Sequence, residues 1–159
     1  MKTLQKWRAF LLLLALLFAA APARAQDDPR GWLLVPDIWL STSIDPLPIV
    51  DRVYDMAAIG QGVGHLEGTA WVTDGWARIV LAAHSTGAFA RLNELEVGAW
   101  VFVADYPHST VLEGYRVTLI TVTAPDDVRW LQPTERETLT LITCASDETR
   151  LIVHAERAW

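Results

Sequence analysis

Beyond residue 31 the apolar positions of this chain fall in short runs broken by turn residues, with no sustained helical period. Leu33 to Leu40 and Ile44 to Val53 are apolar but carry Pro36, Pro46 and Pro48, which predicts edge strands or extended loops. Ala57 to Gly68 holds Gly60, Gly62, Gly64 and Gly68 and reads as a loop after at most one helical turn. Arg78 to Ala83 is continuously apolar after its arginine, the pattern of a strand buried on both faces. Thr86 to Leu95 predicts one short helix, with Thr86 as its cap, Phe89, Leu92 and Leu95 on one face and Gly98 beyond its end. Ala99 to Ala104 and Val111 to Thr123 are strands, the second long and rich in Val, Thr and Ile. Pro125 to Pro133 is a connection in which Val128, Trp130 and Leu131 pack a short helix. Leu139 to Cys144 and Arg150 to Glu156 are the last two strands. Many short strands with one or two short helices predict an all-β fold, a barrel or a sandwich.

The N-terminus has a different pattern. Lys2, Lys6 and Arg8 precede an apolar run from Ala9 to Ala21, and Ala23-Arg24-Ala25 offers a small-x-small cleavage site. Residues 1–25 therefore read as a secretory signal peptide, with a mature start at Gln26. The alternative is an uncleaved signal anchor, in which residues 9–21 tether the protein to a membrane. Both predict an exported domain, with 26–31 as a polar linker and 32–159 as the folded unit. Without the leader the chain keeps nine cations, all arginine, against 19 acids. That balance excludes a nucleic-acid binder, which needs a basic face for phosphates. It also leaves no lysine to act as nucleophile or Schiff base.

Cys144 is the one cysteine, so an exported domain with access to disulfides cannot form one internally. It is a buried bystander, an intermolecular cross-link or a working thiol. Strand alternation puts Thr140, Ile142 and Cys144 on one face and Arg150, Ile152 and His154 on one face of the next strand. The five residues Ala145 to Thr149 suit a hairpin, which sets Arg150 opposite Cys144. A fixed cation favours the thiolate, the reactive form of a cysteine, and a guanidinium offers a donor fork to an oxyanion. His84 ends the apolar strand and can project over the end of the sheet. His84, Cys144 and Arg150 then supply a base, a nucleophile and an oxyanion donor. His65, His108 and His154 have no metal-ligand spacing, and a single cysteine argues against a structural zinc; no metal or cofactor is expected. The order His before Cys is the reverse of papain-like and cell-wall peptidase enzymes. No GxSxG elbow is present.

These stretches resemble a sortase. The resemblance rests on Gly62-Val63-Gly64-His65-Leu66-Glu67-Gly68-Thr69-Ala70, on Ile79-Val80-Leu81-Ala82-Ala83-His84-Ser85 with Ala88-Phe89 and Leu92, on Leu139-Thr140-Leu141-Ile142-Thr143-Cys144, and on Arg150-Leu151-Ile152-Val153. The first stretch is most like class D sortases, with class E next. The resemblance implies an eight-stranded sortase-like β-barrel and a cysteine transpeptidase that cleaves a Leu-Pro-x-Thr-Gly-type sorting signal between Thr and Gly. It implies a thioester on Cys144, proton transfer by His84 and oxyanion support from Arg150. Thr143 and His65 match family positions near the site, as substrate contacts. The implied partners are the sorting signal of a secreted surface protein and an amine acceptor, either a peptidoglycan precursor or a pilin lysine. Two alternatives stand beside it: a thiol hydrolase that hands the thioester to water, and a sortase-fold module that binds a peptide or glycan without turnover. Val72 to Arg78 departs from the Pro-Gly and Gly-Asn that the family often carries before the His-bearing strand, which implies a different loop beside the groove.

Overall fold

The computed structural model describes residues 29–158. The leader, its apolar run and most of the linker expected from the sequence lie outside the described residues. Ten strands form: β1 Gly31–Val35, β2 Leu40–Leu47, β3 Ile49–Val50, β4 Val53–Tyr54, β5 Val63–Leu66, β6 Arg78–Ala82, β7 Trp100–Ala104, β8 Leu112–Thr123, β9 Thr138–Ser146 and β10 Thr149–Arg157. Eight close into a barrel in the order β1-β2-β5-β6-β9-β10-β8-β7, and β3 and β4 form a separate small hairpin. The fold is the all-β, eight-stranded barrel that the strand pattern and the resemblance imply.

Alternation along the strands fills two cores. Leu33, Val63, Leu81, Val101, Leu141 and Val153 point into the barrel and are fully buried there. Leu47, Leu66, Val80 and Ala82 point outward yet are also buried, with Ile59 over them and Tyr54, Met56, Leu131 and Ile142 packed at the margin. β6 is thus covered on both faces, which is why Arg78 to Ala83 reads as an unbroken apolar run. β6 also pairs in parallel with β9, and β2 with β5.

Three local expectations are corrected. The glycine-rich stretch read as a loop contains β5, whose four residues are all buried. Its Gly64 is a packing device, since a Cβ there would lie 2.8 Å from side-chain carbons of both Ile59 and Leu47. Thr86 to Leu95 forms no α-helix. It runs as successive i→i+3 turns ending in a 3₁₀ helix at Leu92–Glu94. Phe89, Leu92 and Leu95 are buried as expected. Their spacing of three matches the 3₁₀ period, in which such residues eclipse. The segment is held from outside as well, because Ala88 N–H donates to the Gln61 carbonyl at 2.9 Å. Finally, the proline-bearing stretches are not edges: β1 and β2 pair with neighbours on both sides in the closed barrel. Pro36 opens a 3₁₀ turn between them, and Pro48 separates β2 from the β3–β4 hairpin. The short helix expected around Val128, Trp130 and Leu131 is present as a 3₁₀ turn at Val128–Leu131.

Candidate active site

The parallel pair β6–β9 ends at Ala82 opposite Ile142. Ala83 N–H continues the ladder to the Ile142 carbonyl at 3.3 Å, and the Thr143 hydroxyl donates to the Ala83 carbonyl at 2.8 Å. Extending that register by two residues brings His84 level with Cys144. On the other side of β9, Arg150 of β10 is the direct partner of Cys144. The β9–β10 strands run on to Ser146 and Thr149, so Asp147 and Glu148 alone make the turn, and a bulge between Thr149 and Arg150 preserves the pairing. Cys144 is therefore the central member of three, with Arg150 on the neighbouring strand about 4.8 Å away and His84 two residues past the end of β6. All three share the outward parity of Ala82, Ile142 and Ile152.

The surroundings of the three differ. Cys144 is exposed. His84 is half-buried, and its Nε2–H donates to the Met56 carbonyl at 3.2 Å, which leaves Nδ1 as the ring nitrogen not engaged by that bond. Arg150 is half-buried and donates from one Nη to the Thr149 carbonyl at 3.1 Å. The ion pairs among the described residues all use other arginines, so the Arg150 charge beside the thiol is not neutralised. Beyond these three residues lies a groove of about 320 Å³ on the outer face of the barrel. Leu47, Met56, Leu66, Ala82 and Ile142 line it, Trp130 and Leu131 form one wall, and Arg150 stands at its end. A concave, mostly apolar surface with a few convergent polar groups at one end suits an extended peptide.

The other two expected site residues lie elsewhere. Thr143 is 4% exposed and faces the interior, with its hydroxyl committed to Ala83. It ties β9 to the residue before His84 and is not turned toward the groove. His65 pairs with Leu81, three residues before His84 and thus about 10 Å along the strand. It is 2% exposed, with Nε2 2.8 Å from the Ala70 carbonyl and its ring edge-on to Trp71. Burial pushes its pKa down to about 4, against a smaller upward pull from the Ala70 hydrogen bond. Burial thus favours its neutral ring. Among the described residues no three His, Cys, Asp or Glu side chains cluster as metal ligands.

Sequence reasoning missed the Met56 carbonyl, which as a backbone group leaves no signal. It also missed which residues line the groove. The available signal was that β6 is apolar at both parities, so something had to cover its outer face.

Residues 35–158 match the family model described as the sortase domain. The chain belongs to the sortase family. Its members are cysteine transpeptidases that join sorting-signal substrates to amine acceptors, generally at the cell surface or membrane. The sortase C-1 of Actinomyces oris is 26% identical, covers 85% of this chain and 76% of its own, and superposes with a TM-score of 0.69. A pilus-related sortase C of Group B Streptococcus is 25% identical, with 84% and 69% covered and a TM-score of 0.71. A sortase D5 transpeptidase of Clostridium perfringens shares the fold at a TM-score of 0.70 and 24% identity, with 83% and 80% covered. No curated protein matches this sortase. Among the described residues no helix is long and apolar enough to cross a membrane.

Proposed function

We propose that this sortase is an exported transpeptidase that cleaves a Leu-Pro-x-Thr-Gly-type signal between Thr and Gly and transfers the acyl group to an amine at the cell surface. The Cys144 thiol passes its proton to His84 as the sulfur attacks the Thr carbonyl carbon, and the carbonyl electrons move onto oxygen. Arg150 donates hydrogen bonds to that oxyanion. On collapse the C–N bond breaks, His84 delivers a proton to the departing glycine amine, and a thioester remains on Cys144. The incoming amine then attacks the thioester carbon, His84 takes its proton, and the thiolate leaves. Export follows from the reading of residues 1–25 as a leader.

The observation that carries this reading is the pairing of Cys144 with Arg150, which lines an apolar groove and has no acidic partner among the described residues. A binding module would have no use for that pairing. A thiol hydrolase would share every step except the last acceptor.

The test is product analysis by mass spectrometry. Residues 26–159 are incubated with Leu-Pro-x-Thr-Gly and Leu-Ala-x-Thr-Gly peptides, with and without a glycine amine. Cleavage after Thr with an amine-capped product, lost in Cys144→Ala, is expected. Cleavage with the acid product alone would favour the hydrolase. No cleavage by folded protein would favour the binding module.

A further inference from the structure

Arg78 opens β6 and points outward, onto the Val128–Leu131 turn that carries the Trp130–Leu131 wall of the groove. One Nη donates to the Arg129 carbonyl at 2.6 Å, and the guanidinium lies over the Trp130 ring at 5.6 Å. Among the described residues this is the only hydrogen bond from residues 128–131 to a barrel strand. The other bonds of the connection are internal or reach only its start. The Asp127 carboxylate accepts from the Arg129 backbone and side chain and from the Thr123 hydroxyl. Those bonds hold the connection together but do not fix its distance from β6.

Arg78 is an unusual residue to bury here. It is half-buried, makes no ion pair among the described residues, and its Nε–H is buried without an acceptor, as is the Trp130 indole N–H. Each unmade donor is destabilising. Burial also lowers the Arg78 pKa from its usual value. A methionine or leucine at this position would carry no guanidinium donor to leave unpaired. What only an arginine supplies is the combination of a donor to a backbone carbonyl and a planar face on the indole.

We propose that Arg78 is a positioning residue for the peptide groove: it latches the Val128–Leu131 turn to β6 and so sets the width of the groove at Trp130 and Leu131. The inference rests on the groove being the peptide site. Arg78 lies near the opposite end of β6 from His84, six residues or about 20 Å away, so it acts on substrate binding and not on the reacting atoms. It is also the last residue of the stretch that departs from the family pattern, where the sequence implies a different loop beside the groove.

The test compares the wild-type protein with Arg78→Met, which keeps the stem and removes the donors, and Arg78→Lys, which keeps a charge and one point donor. Two readouts are taken. Amide hydrogen exchange of residues 126–133 is expected to quicken at least ten-fold in Arg78→Met and by less in Arg78→Lys, with β9 unchanged. For a Leu-Pro-x-Thr-Gly peptide, KM is expected to rise about ten-fold in Arg78→Met while kcat moves less than three-fold. Alkylation of Cys144 by iodoacetamide, which does not need the groove, is expected to keep its rate. Unchanged exchange at 126–133 would overturn the latch, as would a loss confined to kcat. If the wild type cleaves no peptide, the transpeptidase reading fails, and the exchange experiment still decides whether Arg78 holds the turn. Arg78→Lys carries the test if Arg78→Met does not fold.

Discussion

The β9–β10 hairpin carries an arginine toward each end, and the protein uses them in opposite ways. Near the turn, Arg150 faces Cys144, donates to one backbone carbonyl and meets no carboxylate among the described residues. Seven residues along β10, about 23 Å away, Arg157 pairs with both Glu137 and Glu113. There the phenol of the fully buried Tyr115 donates to Glu137. Burial, and then the Glu137 carboxylate, push the Tyr115 pKa up, so the phenol stays a donor. The same residue type thus serves as a neutralised clamp at one end and as an unspent charge at the other. A guanidinium paired with two carboxylates has its charge and two of its donors committed. One that meets only a carbonyl keeps most of its fork free to donate.

The largest expected effect breaks the closed end. Glu137→Ala leaves the buried Tyr115 hydroxyl without its acceptor and takes one of two carboxylates from Arg157, at a cost of about 3 kcal/mol. Chemical denaturation should show that loss, while kcat of the folded fraction stays near wild type. At the open end the signs reverse. Arg150→Ala is expected to lower kcat about 10²–10³-fold, the size of a lost oxyanion donor, with stability within about 1 kcal/mol. A fall in stability at both ends would erase the contrast.

A third expectation concerns pH and lies between the two ends. His65 is neutral in the fold, with its pKa near 4 against an ordinary value near 6.5. The unfolded chain therefore binds a proton in that window and the folded one does not. Stability is fully present above about pH 6.5 and falls as pH drops toward 4, by about 3 kcal/mol in total. Urea midpoints at pH 7 and pH 4.5 should show the loss, and His65→Gln should flatten it. The smallest effect is at Thr143. Thr143→Val removes the hydroxyl from the Ala83 carbonyl, at a cost of about 1 kcal/mol. It should also lower kcat several-fold by loosening the approach of His84, without raising KM.

Much of this site was legible because a strand has a period of two. Placing Thr140, Ile142 and Cys144 on one face, and Arg150 opposite, needed only local alternation and a short connection. The same alternation turns Thr143 inward, so its family match and its parity pointed different ways. His84 was legible as the polar end of a strand that is apolar at both parities. The structure departs from expectation where local signals were shared by two conformations. Glycines that mark a turn elsewhere make room for close strand packing at Gly64, and a spacing of three between Phe89, Leu92 and Leu95 serves a 3₁₀ path as well as an α-helix. Arg78, Met56 and Trp130 meet the site only through long-range packing, which no window of sequence displays.

A thioester at Cys144 is the central expectation for this sortase. The protein would be mixed with a Leu-Pro-x-Thr-Gly peptide, quenched in acid, digested and mapped by mass spectrometry. The expected result is a peptide acyl group ending in Thr on Cys144, released by hydroxylamine, depleted in Arg150→Ala and absent in Cys144→Ala. Folded protein that carries no acyl group on Cys144 across the peptide panel would contradict it.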